Sequence, residues 1–142
     1  MPYNSPYENY VELKVLSASP LELVTMLYRA AIDSLEEARR GLASGESKRR
    51  AEAVARACGV IIELTQSLDN EQGGELSRNL LELYDYILRR IHESNREGDD
   101  AGFREVIRLL STLLEGWESI ESRPDTAGER VEREHQPLQC SF

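Results

Sequence analysis

One apolar line restricts this chain more than anything else in it. Val24, Tyr28, Ala31, Leu35, Ala38 and Leu42 recur at alternating spacings of four and three residues, which places them in a single stripe along an α-helix. The stripe is preceded by Ser19-Pro20-Leu21-Glu22. Ser19 can accept from an unpaired N–H of the first turn, Pro20 stands where a missing N–H costs nothing, and Glu22 is three residues past the cap. A capped helix of this length with one core-facing seam needs other helices to cover it, so the chain is expected to fold as a helical bundle.

Three further patterns supply those helices. A second helix is expected over residues 46–69, with Ala51, Val54, Ala55, Cys58, Ile61, Ile62, Thr65 and Leu68 towards the core. Ala53, Ala57, Val60 and Leu64 form a ridge beside that line. Gly73-Gly74 breaks the chain, and a third helix carries Leu76, Leu80, Leu83, Tyr84, Ile87 and Ile91 on one face, with Leu81 and Leu88 on its shoulder. Gly98 stops it and Asp99 caps a fourth, whose stripe is Phe103, Val106, Ile107, Leu110, Leu113, Leu114, Trp117 and Ile120. The organisation expected is a lid segment over 1–18, a four-helix bundle over 19–123 and a disordered tail over 124–142, since the last residues are mostly charged or polar.

The chemistry of most ligand classes is missing from these patterns. A formal charge of −9 over 142 residues argues against nucleic acid and against anionic membrane surfaces. No apolar run reaches the ~20 residues of a membrane span, and Met1 to Pro6 shows no secretory signal, so a cytoplasmic protein is expected. Di-iron bundles take Glu-x-x-His from two helices; the one such spacing here, Glu132 to His135, lies in the tail. His92 has no second ligand at metal spacing, Cys58 reads as a small buried hydrophobe, and no phosphate loop or nucleophile elbow occurs. No cofactor, metal or enzymatic activity is expected.

What the helices do carry is surplus apolar surface. Leu23, Leu27 and Ala30 flank the first seam, and Val60 and Leu64 do the same on the second helix, with Leu81 and Leu88 extending the track. Residues before Ser19 hold Tyr3, Tyr7 and Tyr10, half of all six tyrosines, in a segment too short to be helical alone. Three readings follow. The terminal segment covers the surplus permanently, a partner covers it, or a second copy does in a structural or signalling dimer.

The ordered set of motifs narrows the choice. Ala18-Ser19-Pro20-Leu21-Glu22-Leu23, Met26-Leu27-Tyr28, Glu75-Leu76-Ser77-Arg78-Asn79-Leu80, Leu83-Tyr84-Asp85-Tyr86-Ile87, Arg89-Arg90-Ile91, Ser94-Asn95 and Trp117 resemble the flagellin-specific export chaperones, the FliS family, over about residues 7–122. The resemblance implies an all-α, antiparallel four-helix bundle with a short N-terminal helical segment. It also implies binding of the C-terminal, disordered part of flagellin, protection of that segment from premature polymerisation, and delivery to the flagellar type III export gate. Tyr7 and Tyr10 match the family's N-terminal tyrosines and are expected to cover part of the track when flagellin is absent. Arg29 departs from the acidic or amide residue common at that place in the family, and the tail has no firm counterpart.

Overall fold

The computed structural model describes residues 18–68 and 73–122. These form four helices: α1 (Pro20–Ser44), α2 (Ser47–Gln66), α3 (Gly74–Glu97) and α4 (Asp100–Glu121). The first is capped as its sequence requires. Ser19 Oγ accepts from the Glu22 N–H at 3.1 Å while Glu22 Oε1 accepts from the Ser19 N–H at 2.8 Å, so two orphan donors are satisfied reciprocally. At its far end the chain reverses through Gly45 at φ 74°, a left-handed conformation that glycine adopts without strain. The α3–α4 turn repeats the device with Gly98 at φ 66°, and Asp99 Oδ1 then accepts from the Ala101 N–H at 3.0 Å to start α4.

Each helix packs against two neighbours, α1 on α2 and α4, and α3 on the same two. Polar contacts fix the directions. Arg29 early in α1 pairs with Glu118 late in α4, and Arg39 late in α1 holds both carboxylate oxygens of Asp100, at 2.9 and 3.1 Å, at the start of α4. Arg49 of α2 pairs with Glu37 of α1, and Cys58 of α2 meets His92 of α3. All neighbours are antiparallel, and the result is an up-down-up-down bundle.

The core is layered. At the end where the α1–α2 and α3–α4 turns lie, small residues let backbones approach. A Cβ on Gly41 would stand 2.9 Å from the Arg50 nitrogen, and one on Gly102 would stand 2.6 Å from the Ser94 Cβ and 3.0 Å from the Arg90 carbonyl. Towards the opposite end the filling is aromatic. Tyr28 of α1 and Tyr84 of α3 are both fully buried, and their hydroxyls bond at 2.7 Å across the bundle diagonal. Trp117 of α4 lies edge-on to Tyr28, centroids 6.4 Å apart.

The α1 seam is buried as its spacing implies, except that Leu42 is only half-buried. Helix α2 is turned relative to expectation. Ala53, Ala57 and Leu64, placed by the sequence on an outer ridge, are at 0% exposure, whereas Ala51, Ala55 and Ile62, placed inside, face solvent. The reason lies on α1, whose flank towards α2 is Ser34, Ala38 and Gly41. A small-residue flank closes best against another, and Ala53 and Ala57 provide it. Leu64 is on the same side of α2 and is carried into the core with them. Leu76 and Ile120, also expected inside, are 43% and 46% exposed.

Removing the cap by Ser19→Ala should cost about 1 kcal/mol in denaturant unfolding and leave the bundle otherwise unchanged. The tyrosine pair makes a pH prediction. Burial raises the phenol pKa of both Tyr28 and Tyr84 above 10, so the folded state holds these protons more tightly than the unfolded chain does. Their contribution to stability is therefore complete below pH ~10 and is lost as pH rises beyond it. In a titration followed by tyrosinate absorbance, these two should ionise only together with unfolding.

Candidate functional site

Among the described residues no three or more of His, Cys, Asp and Glu gather as a metal site. No described helix is long and apolar enough to cross a membrane. The Cys58 thiol lies 3.7 Å from His92 Nε2, and burial pushes its pKa up, so it remains a protonated thiol at neutral pH. The feature left for function is apolar surface on the helix flanks, and three of the seams carry it as follows.

The first is the α1–α2 seam. Leu23 and Ala30 precede Glu37 by fourteen and seven residues, and Leu27 precedes Gly41 by fourteen, so all three stand on the flank of α1 that faces α2. Leu23 and Leu27 are half-buried and Ala30 is exposed. Val60 of α2 is half-buried on the side from which Arg49 reaches Glu37. Leu64 does not join them, because it is sealed in the core.

The second is the α2–α3 seam. One turn beyond the Cys58–His92 contact, α2 presents Ile62, 46% exposed, while α3 presents the half-buried Leu88 and, two turns back, Leu81. The third is the α3–α4 seam, which divides in two. Its upper half is latched: Glu105 of α4 accepts from the Tyr86 hydroxyl at 2.5 Å and from Arg90 Nε at 2.6 Å. These two donors, the phenol and then the guanidinium, hold the Glu105 carboxyl below the usual carboxylate range. Below the latch the seam is lined by half-buried Leu83, Leu109 and Leu113 and by the exposed Leu76 and Ile120.

Of the residues singled out in the sequence, the structure brings Leu23, Leu27, Ala30 and Val60 to one seam and Leu81 and Leu88 to another. Tyr7 and Tyr10 lie outside the described residues. The lower α3–α4 strip was missed, because Leu76, Leu83, Leu113 and Ile120 read as core. A signal existed in the alternation Leu109, Leu113, Gly116, Ile120, a four-three-four line displaced from the core stripe of α4.

Comparison with known proteins bears on this surface. The family model described as "Flagellar protein FliS" matches residues 3–124. The flagellar secretion chaperone FliS of Salmonella typhimurium is 41% identical over 111 residues, covering 78% of this chain and 82% of that protein. FliSB of Pseudomonas aeruginosa, also named a flagellar secretion chaperone, is 33% identical over 110 residues, 78% and 87% of the two chains. FliS of Bacillus subtilis is 29% identical over 130 residues, 90% and 96%.

The inside and outside faces of α2 give a direct test. Leu64→Lys places an ammonium in a fully buried site and should lower stability by more than ~3 kcal/mol. Ile62→Lys, two residues away, should leave the melting temperature nearly unchanged. Circular dichroism melts of the two variants check both.

Proposed function

This chain belongs to the FliS family of flagellar secretion chaperones, and from that premise we propose that its client is flagellin. The chaperone holds the C-terminal segment of newly made flagellin in the cytoplasm, prevents premature polymerisation and presents the client to the flagellar export gate. The observation that supports this reading best is the combination of a well-packed core with uncovered aliphatic strips. Tyr28, Leu35, Ile61, Tyr84, Ile87 and Leu110 are all fully buried, so the bundle does not need Ile62, Leu76 or Ile120 exposed for want of interior volume.

The energetics suit a disordered client. Ordering such a segment on binding costs ~2–5 kcal/mol of the gross interaction energy. Burying one aliphatic side chain returns about 1.5–3 kcal/mol. Several contacts spread along a track are therefore needed, and strips on successive seams offer them to one segment that wraps round the bundle.

Co-purification tests the assignment. Tagged protein should retain flagellin in a one-to-one complex, measured by light scattering, and should fail to retain flagellin lacking its C-terminal segment. Equal retention of the truncated flagellin would overturn it.

A further inference from the structure

The chain has two cysteines and two histidines. Along the sequence His92 has no second ligand at metal spacing, but the fold supplies one from another helix. Cys58 Sγ of α2 and His92 Nε2 of α3 lie 3.7 Å apart across the α2–α3 seam. Tetrahedral zinc holds a thiolate sulfur at about 2.3 Å and an imidazole nitrogen at about 2.0–2.1 Å, which sets neighbouring S and N ligands about 3.6 Å apart. The distance alone would equally suit a thiol–imidazole hydrogen bond, and three further observations favour a metal.

The pair lies at the surface. Cys58 is 8% exposed, and His92 is exposed. Beside Cys58 stand Ala55 and Gly59, both exposed, so α2 places no bulky side chain over the pair. A glycine inside a helix costs about 1 kcal/mol relative to alanine, and a Cβ at Gly59 would meet no described atom within 4 Å, so packing within the bundle does not call for it. The other two residues of ligand type, His135 and Cys140, occur together in the sequence with four residues between them. That interval lies in the range from which one zinc ion takes two ligands of a short loop. Both stand outside the described residues and beyond residue 124, where the family match ends.

The chain is long enough to bring them there. Glu105 of α4 meets Tyr86 and Arg90 of α3, which fixes the two helices in register. Ser122 is seventeen residues beyond Glu105, and His92 lies a few residues the other way, so Ser122 and His92 are about 30 Å apart along the bundle axis. The thirteen residues from Ser122 to His135 reach about 45 Å when extended. The difference covers the passage across α3, a helix about 10 Å wide.

We infer that Cys58, His92, His135 and Cys140 form a tetrahedral site for one zinc ion, two ligands coming from the bundle and two from the segment that follows α4. On binding, each thiol gives its proton to solvent, and the ion takes two thiolates and two neutral imidazoles. The charges then cancel, which suits a partly buried seam. The ion fastens the segment after α4 across α3, beside the exposed Ile62 and the half-buried Leu88. This assignment is independent of the choice of client.

Zinc titration of the reduced, tag-free, full-length chain, followed by competition with a chromophoric chelator, tests it. One zinc should bind per chain, raise the melting temperature and slow tryptic cleavage after Arg130 and Arg133. Cobalt in its place should give the visible bands of a tetrahedral site and thiolate-to-metal charge transfer. Cys140→Ser and His135→Ala, which leave the bundle untouched, and His92→Ala should each lower zinc affinity by more than about 100-fold, since even outer-shell partners of a metal are worth 10–100-fold. Affinity unchanged in His135→Ala or Cys140→Ser would show that the segment supplies no ligand and overturn the site. Absence of zinc uptake, or one zinc bound between two chains, would overturn it as well.

Discussion

The hydroxyl bond between Tyr28 and Tyr84 joins α1 and α3, which are not neighbours in the ring. Two phenols meeting end to end fix the width of the bundle at that level, because neither oxygen can be left without a partner in a dry core. Trp117 packs edge-on to the same ring from α4. At the other end Gly41, Gly102, Ala53 and Ser94 draw the helices together until no methyl group fits between them. The bundle is thus narrow where its glycine turns lie and broad where its aromatic residues lie. Both exposed residues of the α3–α4 seam, Leu76 and Ile120, stand at the aromatic end.

Polar contacts decide where that apolar strip stops. Most of them are half-exposed, and each such pair is worth little in stability. Their effect is on register. Arg39 holds Asp100 with two parallel bonds, which fixes α4 against α1 at the narrow end. Arg90 and Tyr86 converge on Glu105 and close the upper α3–α4 seam with polar groups. An aliphatic chain would gain nothing from displacing that latch, since a half-buried carboxylate and guanidinium would lose their partners. Apolar surface below the latch and polar closure above it give the seam a defined end.

A chaperone of this kind has to be stable without its client while keeping greasy surface uncovered. The structure separates the two demands by residue. Stability comes from a core whose largest side chains have no exposure at all, and the proposed function assigns capture to side chains one step round each helix from that core, such as Leu27, Ile62, Leu88 and Leu113. Substitution on these shoulders then alters binding more than folding. A helical ring also presents its shoulders in sequence round the circumference, which suits a client that becomes ordered piece by piece.

Helix number, boundaries and the α1 seam were legible in the chain because caps, glycine stops and four-three spacing act locally. Ser19, Glu22, Gly45, Gly98 and Asp99 each do their work within one turn of where they stand. The kinship was legible for a related reason, since the motifs that carry it are strung in order along those helices. Rotation of each helix about its own axis was not. On α2 two apolar lines run side by side, and periodicity cannot say which turns inward; the small-residue flank of α1 chose Ala53, Ala57 and Leu64 and left Ile62 outside. Nor does a glycine announce whether a neighbour stands against it: a Cβ at Gly102 would meet Ser94 and Arg90 of α3 while one at Gly116 would meet no described atom within 4 Å, a difference set by packing between helices and not by the local chain.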